Sequence, residues 1–393
     1  MGKSLEQKII RRIKAEGRIT FEQFMEMALY DPEFGYYRSP DLIIGKGGDF
    51  YTSAHLHPVF GGMVGKQIME MWEFSGRPEK FVIIEVGGGE GHICRDMLMY
   101  LQNSPFYDAL TYIIVEINPS MQQKQKALLG SPGLVQVDSS GNQSVSLAGN
   151  KVQWVSSLSD IGPVACGCVF SNELLDAFPV HLVEMGEELR EIYIALQGDV
   201  LVEEPGPLSS GAVADYFNVM KICLDRGYRT EANIRIRDWL GDVSRILLEG
   251  FVMTIDYGYL GRDYYSEDRN RGTLICYHQH LANEDPLRHI GMQDITCHVN
   301  FSAVKTWGEE VGLRTVGLSS QGAFLVSLGI DEEIRKLPTA AEDYLFELAR
   351  IKKLVMPQGM GDSHMVMLQY KGAGETGIPN LRGFALRNQM KYL

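Results

Sequence analysis

Phe81-Val-Ile-Ile-Glu-Val-Gly-Gly-Gly-Glu-Gly91 is the part of this chain that best indicates its fold class. An apolar run that ends in a glycine-dense turn is typical of a buried parallel strand. The next ten residues repeat apolar side chains at helical spacing, namely Ile93, Met97, Leu98 and Leu101. Strand, turn and helix predict the opening of a nucleotide-binding α/β unit. In such a unit bare backbone and the free N–H groups of a helix N-terminus face the ligand.

The spacing of the glycines indicates which nucleotide is bound. A dinucleotide fingerprint, G-x-G-x-x-G, counted from Gly87 and Gly89 would place its last glycine at residue 92, which is His92. The third glycine is instead Gly91, and Glu85 stands two residues before the first. This E-x-G-x-G-x-G pattern resembles the first motif of the S-adenosylmethionine-dependent methyltransferases. A nicotinamide-dependent oxidoreductase is an alternative that the early third glycine disfavours.

A second strand and carboxylate agree with this interpretation. Tyr112-Ile-Ile-Val115 is another apolar run, and Glu116 stands at its carboxyl end, where open α/β sheets bind ligands. A carboxylate there can accept hydrogen bonds from both ribose hydroxyls. The alternative is that Glu85 and Glu116 are a solvated strand end and a helix cap.

Composition limits the partners of the protein. The chain has 393 residues, 45% of them hydrophobic, and a formal net charge of −13, which argues against a broad basic surface for nucleic acid. The negative charge permits a cationic substrate, such as an arginine-bearing polypeptide, to be steered in. The longest apolar runs fall short of the ~18 residues of a membrane helix, so no membrane insertion is expected.

Cysteines and histidines suggest neither disulfides nor a metal. The six cysteines include no C-x-x-C pair, and the first residues carry charge without an apolar signal region. Reduced, buried thiols and a cytoplasmic location are therefore expected. The pairs His55-Leu-His57 and His278-Gln-His280 lack acidic or cysteine companions at ligand spacing, so no metal site is expected.

A segment after the fourth predicted strand is the candidate for the acceptor side. Asn172, Glu173 and Asp176 follow that strand, and carboxylates there can grip a guanidinium through two hydrogen bonds. The same residues also suit the start of a helix, with Asn172 as its cap. The glycine-rich loop before residue 53, with Asp49 and Thr52, is either a lid over the cofactor or a surface turn.

Several motifs in order along the chain resemble those of the MidA-like methyltransferases. They are Ile19-Thr-Phe-Glu-Gln-Phe-Met25, Asp31-Pro-Glu-Phe-Gly-Tyr-Tyr37, Gly47-Gly-Asp-Phe-Tyr-Thr52, Asn172-Glu-Leu-Leu-Asp-Ala-Phe-Pro179, Asp256-Tyr-Gly258, Asp294-Ile-Thr-Cys-His-Val-Asn-Phe301 and Gln321-Gly-Ala-Phe-Leu325. The resemblance covers residues 19 to about 370. Two departures stand out: Gly88 replaces a proline in the turn, and His364-Met365 replaces Phe-Lys near the last strand.

The resemblance implies a Rossmann-like α/β fold with a seven-stranded methyltransferase sheet, an N-terminal helical segment and a mostly helical insertion. The expected division is 1–80 helical cap and lid loop, 81–186 cofactor-binding core, 187–248 substrate-side insertion, 249–371 remainder of the core and 372–393 tail.

The resemblance also implies S-adenosyl-L-methionine as cofactor and a protein substrate, with arginine of a respiratory complex I subunit as the acceptor in one branch. The residues expected at the cofactor are Glu85, Gly87, Gly89, Gly91, Glu116, Asp49 and Thr52, and those at the reaction are Asn172, Glu173 and Asp176. We therefore expect a cytoplasmic methyltransferase that modifies protein arginine. A non-catalytic assembly factor that retains the cofactor pocket is the alternative. The oligomeric state and the client are not indicated.

Overall fold

The computed structural model describes residues 4–42, 45, 52–130, 135–137, 143–146, 151–339, 342–372 and 380–393. Its α-helices are α1 (Leu5–Glu16), α2 (Phe21–Tyr30), α3 (Ser53–Leu56), α4 (Val59–Phe74), α5 (His92–Leu101), α6 (Pro105–Ala109), α7 (Pro119–Leu129), α8 (Gly211–Val219), α9 (Arg235–Ile246), α10 (Gly261–Tyr264), α11 (Phe301–Glu310), α12 (Gln321–Ser327), α13 (Ile330–Arg335) and α14 (Tyr344–Val355).

The strands lie between these helices in the order expected of an α/β chain. They are β1 (Ile19–Thr20), β2 (Phe81–Val86), β3 (Leu110–Val115), β4 (Val135–Val137), β5 (Gln143–Ser146), β6 (Val152–Val155), β7 (Gly167–Asn172), β8 (His181–Met185), β9 (Leu189–Gln197), β10 (Val200–Gly206), β11 (Arg229–Ala232), β12 (Gly250–Tyr259), β13 (Ile275–His278), β14 (Leu281–Asn283), β15 (Asp294–Thr296), β16 (Val299–Asn300), β17 (Arg314–Ser320) and β18 (His364–Lys371).

The chain forms two compact units. The first comprises residues 1–50, 175–239 and 258–307, and the second, here called the sheet unit, comprises 51–174, 240–257 and 308–393. These units have other boundaries than the five segments expected from the sequence, and that division stays a prediction.

The sheet unit is built on a seven-stranded path in the order β17-β18-β12-β7-β2-β3-β6. The strands from β12 to β6 pair in parallel, whereas β18 runs antiparallel to both of its neighbours. From β2 the chain winds outward through β3 and β6 and then returns to β7 on the other side. The order therefore reverses between β2 and β7, and ligands of open α/β sheets bind at the carboxyl ends of strands at such a point.

The predicted elements of the core are present. The apolar stripe of α5 is buried, with Met97 and Leu98 fully inaccessible, and so are Ile83 and Ile84 of β2. The α/β class and the seven-stranded methyltransferase sheet are thus confirmed. The C-terminal tail, expected to lie outside the family resemblance, packs on the sheet unit through Phe384, which is buried.

The first unit holds the N-terminal helices and smaller sheets. Ser4 and Thr20 cap α1 and α2 as their sequences predict, and Thr20 forms a complete capping box. A sheet of order β1-β9-β8-β11 carries β10 on β9. β9 and β10 form an antiparallel hairpin. The segment 187–248 is nevertheless mixed rather than mostly helical, because β9 and β11 both pair with β8 in an antiparallel sheet.

Among the described residues, no helix is both long and apolar enough to cross a membrane.

Candidate cofactor and methyl-transfer site

The glycine turn after β2 has the backbone conformation that its sequence predicts. Gly87, Gly89 and Gly91 have φ angles of 71°, 52° and 89°, in the left-handed region that side-chain-bearing residues rarely adopt. Gly91 is also the N-cap residue of α5. The turn therefore presents bare backbone directly before the N-terminus of a ten-residue helix.

Packing explains why Gly88 stands where the family usually has a proline. A Cβ atom at this position would lie 3.1 Å from Ile114 Cγ2 and 3.2 Å from Glu85 Oε2. Both contacts are tighter than most Cβ atoms tolerate, so a larger residue would require Glu85 to move. In this chain the glycine makes room for the buried carboxyl group.

Glu85 is buried in the core, so little of its side chain can contact a ligand. Its exposed fraction is 2%, and the hydroxyl of Tyr112 donates a hydrogen bond to Oε2 at 2.7 Å. Burial raises the pKa of Glu85 to about 8; the Tyr112 hydrogen bond opposes this shift and the charge of Glu116 adds to it. Glu85 is therefore mostly protonated at neutral pH and supports the turn from within the core.

Glu116 stands at the end of β3, as predicted, and its carboxylate is held in place. Oε1 accepts a hydrogen bond from Asn118 N at 2.8 Å, and Oε2 accepts one from Gln125 Nε2 at 3.3 Å. The residue is 8% exposed. A fixed acceptor at this edge of the sheet suits a pair of hydroxyl donors.

Gln125 connects the turn to Glu116, a role that the sequence did not reveal. Its Nε2 donates to Gly89 O at 2.7 Å as well as to Glu116, and its Oε1 accepts from Trp154 Nε1 at 3.0 Å. The side chain is fully buried on α7. The sequence carries no signal for this role, because the helix contains three glutamines and only the structure shows that Gln125 is buried.

Glu173 occupies a strained position directly after β7. Its φ is 53°, although it is not a glycine, and such strain is concentrated at functional sites. Its Oε1 accepts hydrogen bonds from Ser53 N at 3.0 Å and from Asn172 Nδ2 at 3.1 Å. His364 Nε2 lies 3.6 Å from the same oxygen. Within the described residues, Oε2 accepts no hydrogen bond, so this oxygen is available to a ligand.

The sheet explains why these groups meet. Val86 pairs with Ser171, Ile255 with Asn172, and the antiparallel β18 brings His364 opposite Tyr257. The residues after β2, β7 and β12 therefore share one edge with the start of β18. Neither Ser53 nor His364 was named as a site residue, because both contacts depend on distant segments.

Asp256 of β12 connects two neighbouring strands at this edge of the sheet. Its Oδ2 accepts a hydrogen bond from Leu174 N at 3.1 Å, and Asn172 has a buried Oδ1 with no hydrogen-bond partner among the described residues. An unsatisfied buried acceptor is costly, so it points to a donor supplied by a ligand.

The contacts described so far do not include the three other predicted site residues. Asp176 belongs to the first unit, where it and Asp294 raise the pKa of the buried Tyr30, after burial itself. Thr52 is the N-cap residue of α3, and its Oγ1 lies 2.7 Å from His55 Nδ1. Asp49 lies outside the described residues.

Comparison with known proteins agrees with this geometry. Residues 63–319 match the family described as "Putative S-adenosyl-L-methionine-dependent methyltransferase". A crystal structure of a protein from Burkholderia thailandensis bound to S-adenosyl-homocysteine has a TM-score of 0.87 with 28% identity, over 99% of this chain and 96% of that one. The native structure of a protein from the same organism gives 0.84 at 28% identity, with the same coverage.

Curated relatives carry more specific names. This chain is 26% identical to "Protein arginine methyltransferase NDUFAF7 homolog, mitochondrial" of Drosophila melanogaster over 94% of this chain and 85% of the relative. It is 25% identical to "Protein arginine methyltransferase NDUFAF7, mitochondrial" of Homo sapiens over 84% of this chain and 74% of the relative.

The chain belongs to this family of S-adenosyl-L-methionine-dependent methyltransferases. It is an enzyme whose cofactor is S-adenosyl-L-methionine, as the sequence predicted, and the nicotinamide alternative is set aside. The residues present fit that cofactor. The glycine turn leaves room for close approach, and Glu116 offers fixed acceptors beside it.

The expected cytoplasmic location is wrong, because the curated relatives are named as mitochondrial proteins. The expectation rested on buried cysteines and on first residues that carry charge without an apolar signal region. A thiol enclosed by the core is shielded in any compartment, so its burial does not identify the compartment. The expected lack of a nucleic-acid partner stays a prediction.

Proposed function

We propose that this enzyme methylates arginine in a protein substrate. Support for arginine as the acceptor comes from the names of the curated relatives. Within this chain, the main structural support is the position of Glu173. A carboxylate in a strained backbone position, with one oxygen held by two donors and the other open, suits recognition of a guanidinium. The negative net charge favours approach of a cationic segment.

On the cofactor side we assign binding to the glycine turn and Glu116. The backbone of Gly87, Gly89 and Gly91 would pack against the methionine portion, and Glu116 would accept hydrogen bonds from the ribose hydroxyls. Glu85 would support the glycine turn from within the core and would not contact the cofactor directly. The lid role of Asp49 and Thr52 and the acceptor-side role of Asp176 stay predictions.

Methyl transfer to arginine requires the protein to orient and activate a guanidinium nitrogen, which is a weak nucleophile. When bound, S-adenosylmethionine supplies a methyl group on a sulfonium sulfur. Glu173 would pair with guanidinium N–H groups and concentrate positive charge away from the attacking nitrogen. A nitrogen–carbon bond forms as the carbon–sulfur bond breaks, and the proton lost from that nitrogen passes to the carboxylate or to water.

His364 and Asn172 would hold Glu173 in this role. Nδ1 of His364 is hydrogen-bonded with Ser363 Oγ at 3.0 Å, which fixes the ring while Nε2 faces Glu173. The histidine thus takes the place of the family's Phe-Lys at the start of the last strand. By family resemblance the client would be a complex I subunit-like protein.

The test uses the full chain, S-adenosylmethionine with a tritiated methyl group, and a hypomethylated mitochondrial protein extract. Amino-acid analysis of the hydrolysate identifies the labelled residue. We expect methylarginine with the native enzyme and a loss of at least about a hundredfold in E173Q. Affinity for S-adenosyl-homocysteine should stay within about twofold.

Label on another residue type would overturn the arginine assignment. Full activity in E173Q would remove Glu173 from the reaction. Cofactor binding without any label in the extract would favour the non-catalytic assembly factor.

A further inference from the structure

A cluster of metal-binding side chains lies beside the glycine turn, apart from the groups assigned to methyl transfer. His55 of α3 meets Glu90 of the turn and His92, the first residue of α5. One ligand atom from each of the three lies within 4.8 Å of the others. The sequence showed only His55-Leu-His57, because Glu90 and His92 are distant in the chain.

We propose that His55, Glu90 and His92 form a zinc-binding site. Glu90 Oε2 lies 3.5 Å from His92 Nε2 and 3.9 Å from His55 Nε2. Ligand atoms around tetrahedral zinc lie roughly 3.3 Å apart, given bond lengths of about 2.0–2.2 Å. Zinc binding therefore requires side-chain rotations that draw the three atoms together from separations of up to 4.8 Å.

The imidazole of His55 is oriented as a zinc ligand requires. Its Nδ1 lies 2.7 Å from Thr52 Oγ1, and its Nε2 is buried without a hydrogen-bond partner in the described part of the chain. When Nδ1 donates to the threonine oxygen, Nε2 carries the lone pair and points to Glu90. Metal-bound histidines commonly have their second nitrogen held in this way.

A direct hydrogen bond does not explain why His55 faces Glu90. His55 Nε2 and Glu90 Oε2 lie 3.9 Å apart, which is beyond hydrogen-bond distance. A metal ion between them would use the lone pair of the imidazole nitrogen and the carboxylate oxygen together. Arg95, which lies three residues after His92, is paired with Asp96 at 2.7 Å.

The ligand chemistry favours zinc over magnesium and calcium. Two nitrogen donors and one carboxylate occur in zinc sites, whereas magnesium and calcium prefer oxygen ligands. Bound zinc would join α3, which follows the loop before residue 53, to the start of α5. It would thereby fix the segment that carries Ser53 next to the glycine turn, and three protein ligands leave one coordination position for water.

The experiment titrates zinc sulfate into the full-length, chelator-treated chain by calorimetry. Cys223 is an exposed cysteine, so C223S is the background. We expect one equivalent bound with micromolar or tighter affinity, and a loss of at least about tenfold in H55Q and in H92Q. The control H289A changes an exposed histidine that stacks on His278 and should bind zinc like the background.

Cobalt provides an independent spectroscopic readout. Co²⁺ in a four-coordinate site of this kind should give visible absorption bands that H55Q abolishes. Near-ultraviolet circular dichroism and S-adenosyl-homocysteine binding report whether each variant is folded. Absence of zinc binding at about 100 μM in the folded background, or equal affinity in folded H55Q and H92Q, would overturn the site. These readouts do not depend on the proposed arginine chemistry.

Discussion

The backbone N–H of Ser53 donates a hydrogen bond to Oε1 of Glu173 at 3.0 Å. Ser53 is the first residue of α3, and Glu173 follows β7 in a left-handed conformation. A short helix therefore holds the carboxylate that we propose for the acceptor side. This relationship can be tested without altering the carboxylate itself.

Replacing Ser53 by proline should slow methyl transfer. Proline is tolerated at the first position of a helix, and Thr52 before it already has the extended backbone that proline favours. The change removes the N–H donor, and a hydrogen bond to a charged group contributes about 1.5–3 kcal/mol, so we expect roughly a tenfold to hundredfold loss in kcat/KM.

The matched control is S53A, which keeps the N–H and removes the hydroxyl that donates to Gln321 Oε1. Steady-state kinetics of the two variants isolate the backbone donor. Equal rates in S53P and S53A would show that this hydrogen bond does not position Glu173.

Replacing Glu116 by glutamine should weaken binding of S-adenosyl-homocysteine by about tenfold or more. The amide offers one acceptor where the carboxylate offers two, and it places an N–H₂ group against the donor Gln125 or Asn118. Calorimetry measures the change, and E79Q, at an exposed position, serves as the control. Unchanged affinity in E116Q would contradict ribose binding by this residue.

Replacing Gln125 by alanine should weaken cofactor binding by several-fold to tenfold although Gln125 need not touch the cofactor. The variant loses donors to Gly89 O and Glu116 Oε2 and leaves Trp154 Nε1 without its acceptor. W154F removes only the last of these bonds and should have a smaller effect. A larger effect in W154F than in Q125A would show that packing, not the bridge, governs affinity.

Glu85 should make the protein less stable as the pH rises from about 4.5 to about 8. Its pKa is about 8 in the folded chain, whereas the ordinary pKa of an accessible glutamate is 4.5. Between these values the folded state retains a proton that the unfolded state has released. The free energy of unfolding therefore falls with pH, by at most about 1.4 kcal/mol per pH unit from this group.

Urea unfolding at pH 5.5 and 7.5 measures this contribution. In E85Q the side chain stays neutral at both values, so the pH dependence should be smaller than in the native chain. An identical dependence in both proteins would show that Glu85 ionises in the folded state as it does in water.

The sequence predicted the strand, the glycine turn and the helix after it because their signals are local. The turn needs glycine at 87, 89 and 91 for positive φ angles, and the strand–turn–helix pattern repeats within a short window. Glu116 was identified for the same reason, since it directly follows an apolar strand. The segment 187–248 was predicted to be mostly helical, but two parts of it form strands because they pair with β8.

Local sequence patterns were sufficient to predict the α/β class, the cofactor class and the places of the glycine turn, Glu116 and Glu173 after their strands, because strand periodicity and glycine conformation are properties of neighbouring residues. The side chains around Glu173 and the burial of Glu85 became visible only in the folded chain. Folding also brought His55 to Glu90 and His92. These relationships depend on sheet order and on contacts between segments far apart in the chain, which local patterns do not encode.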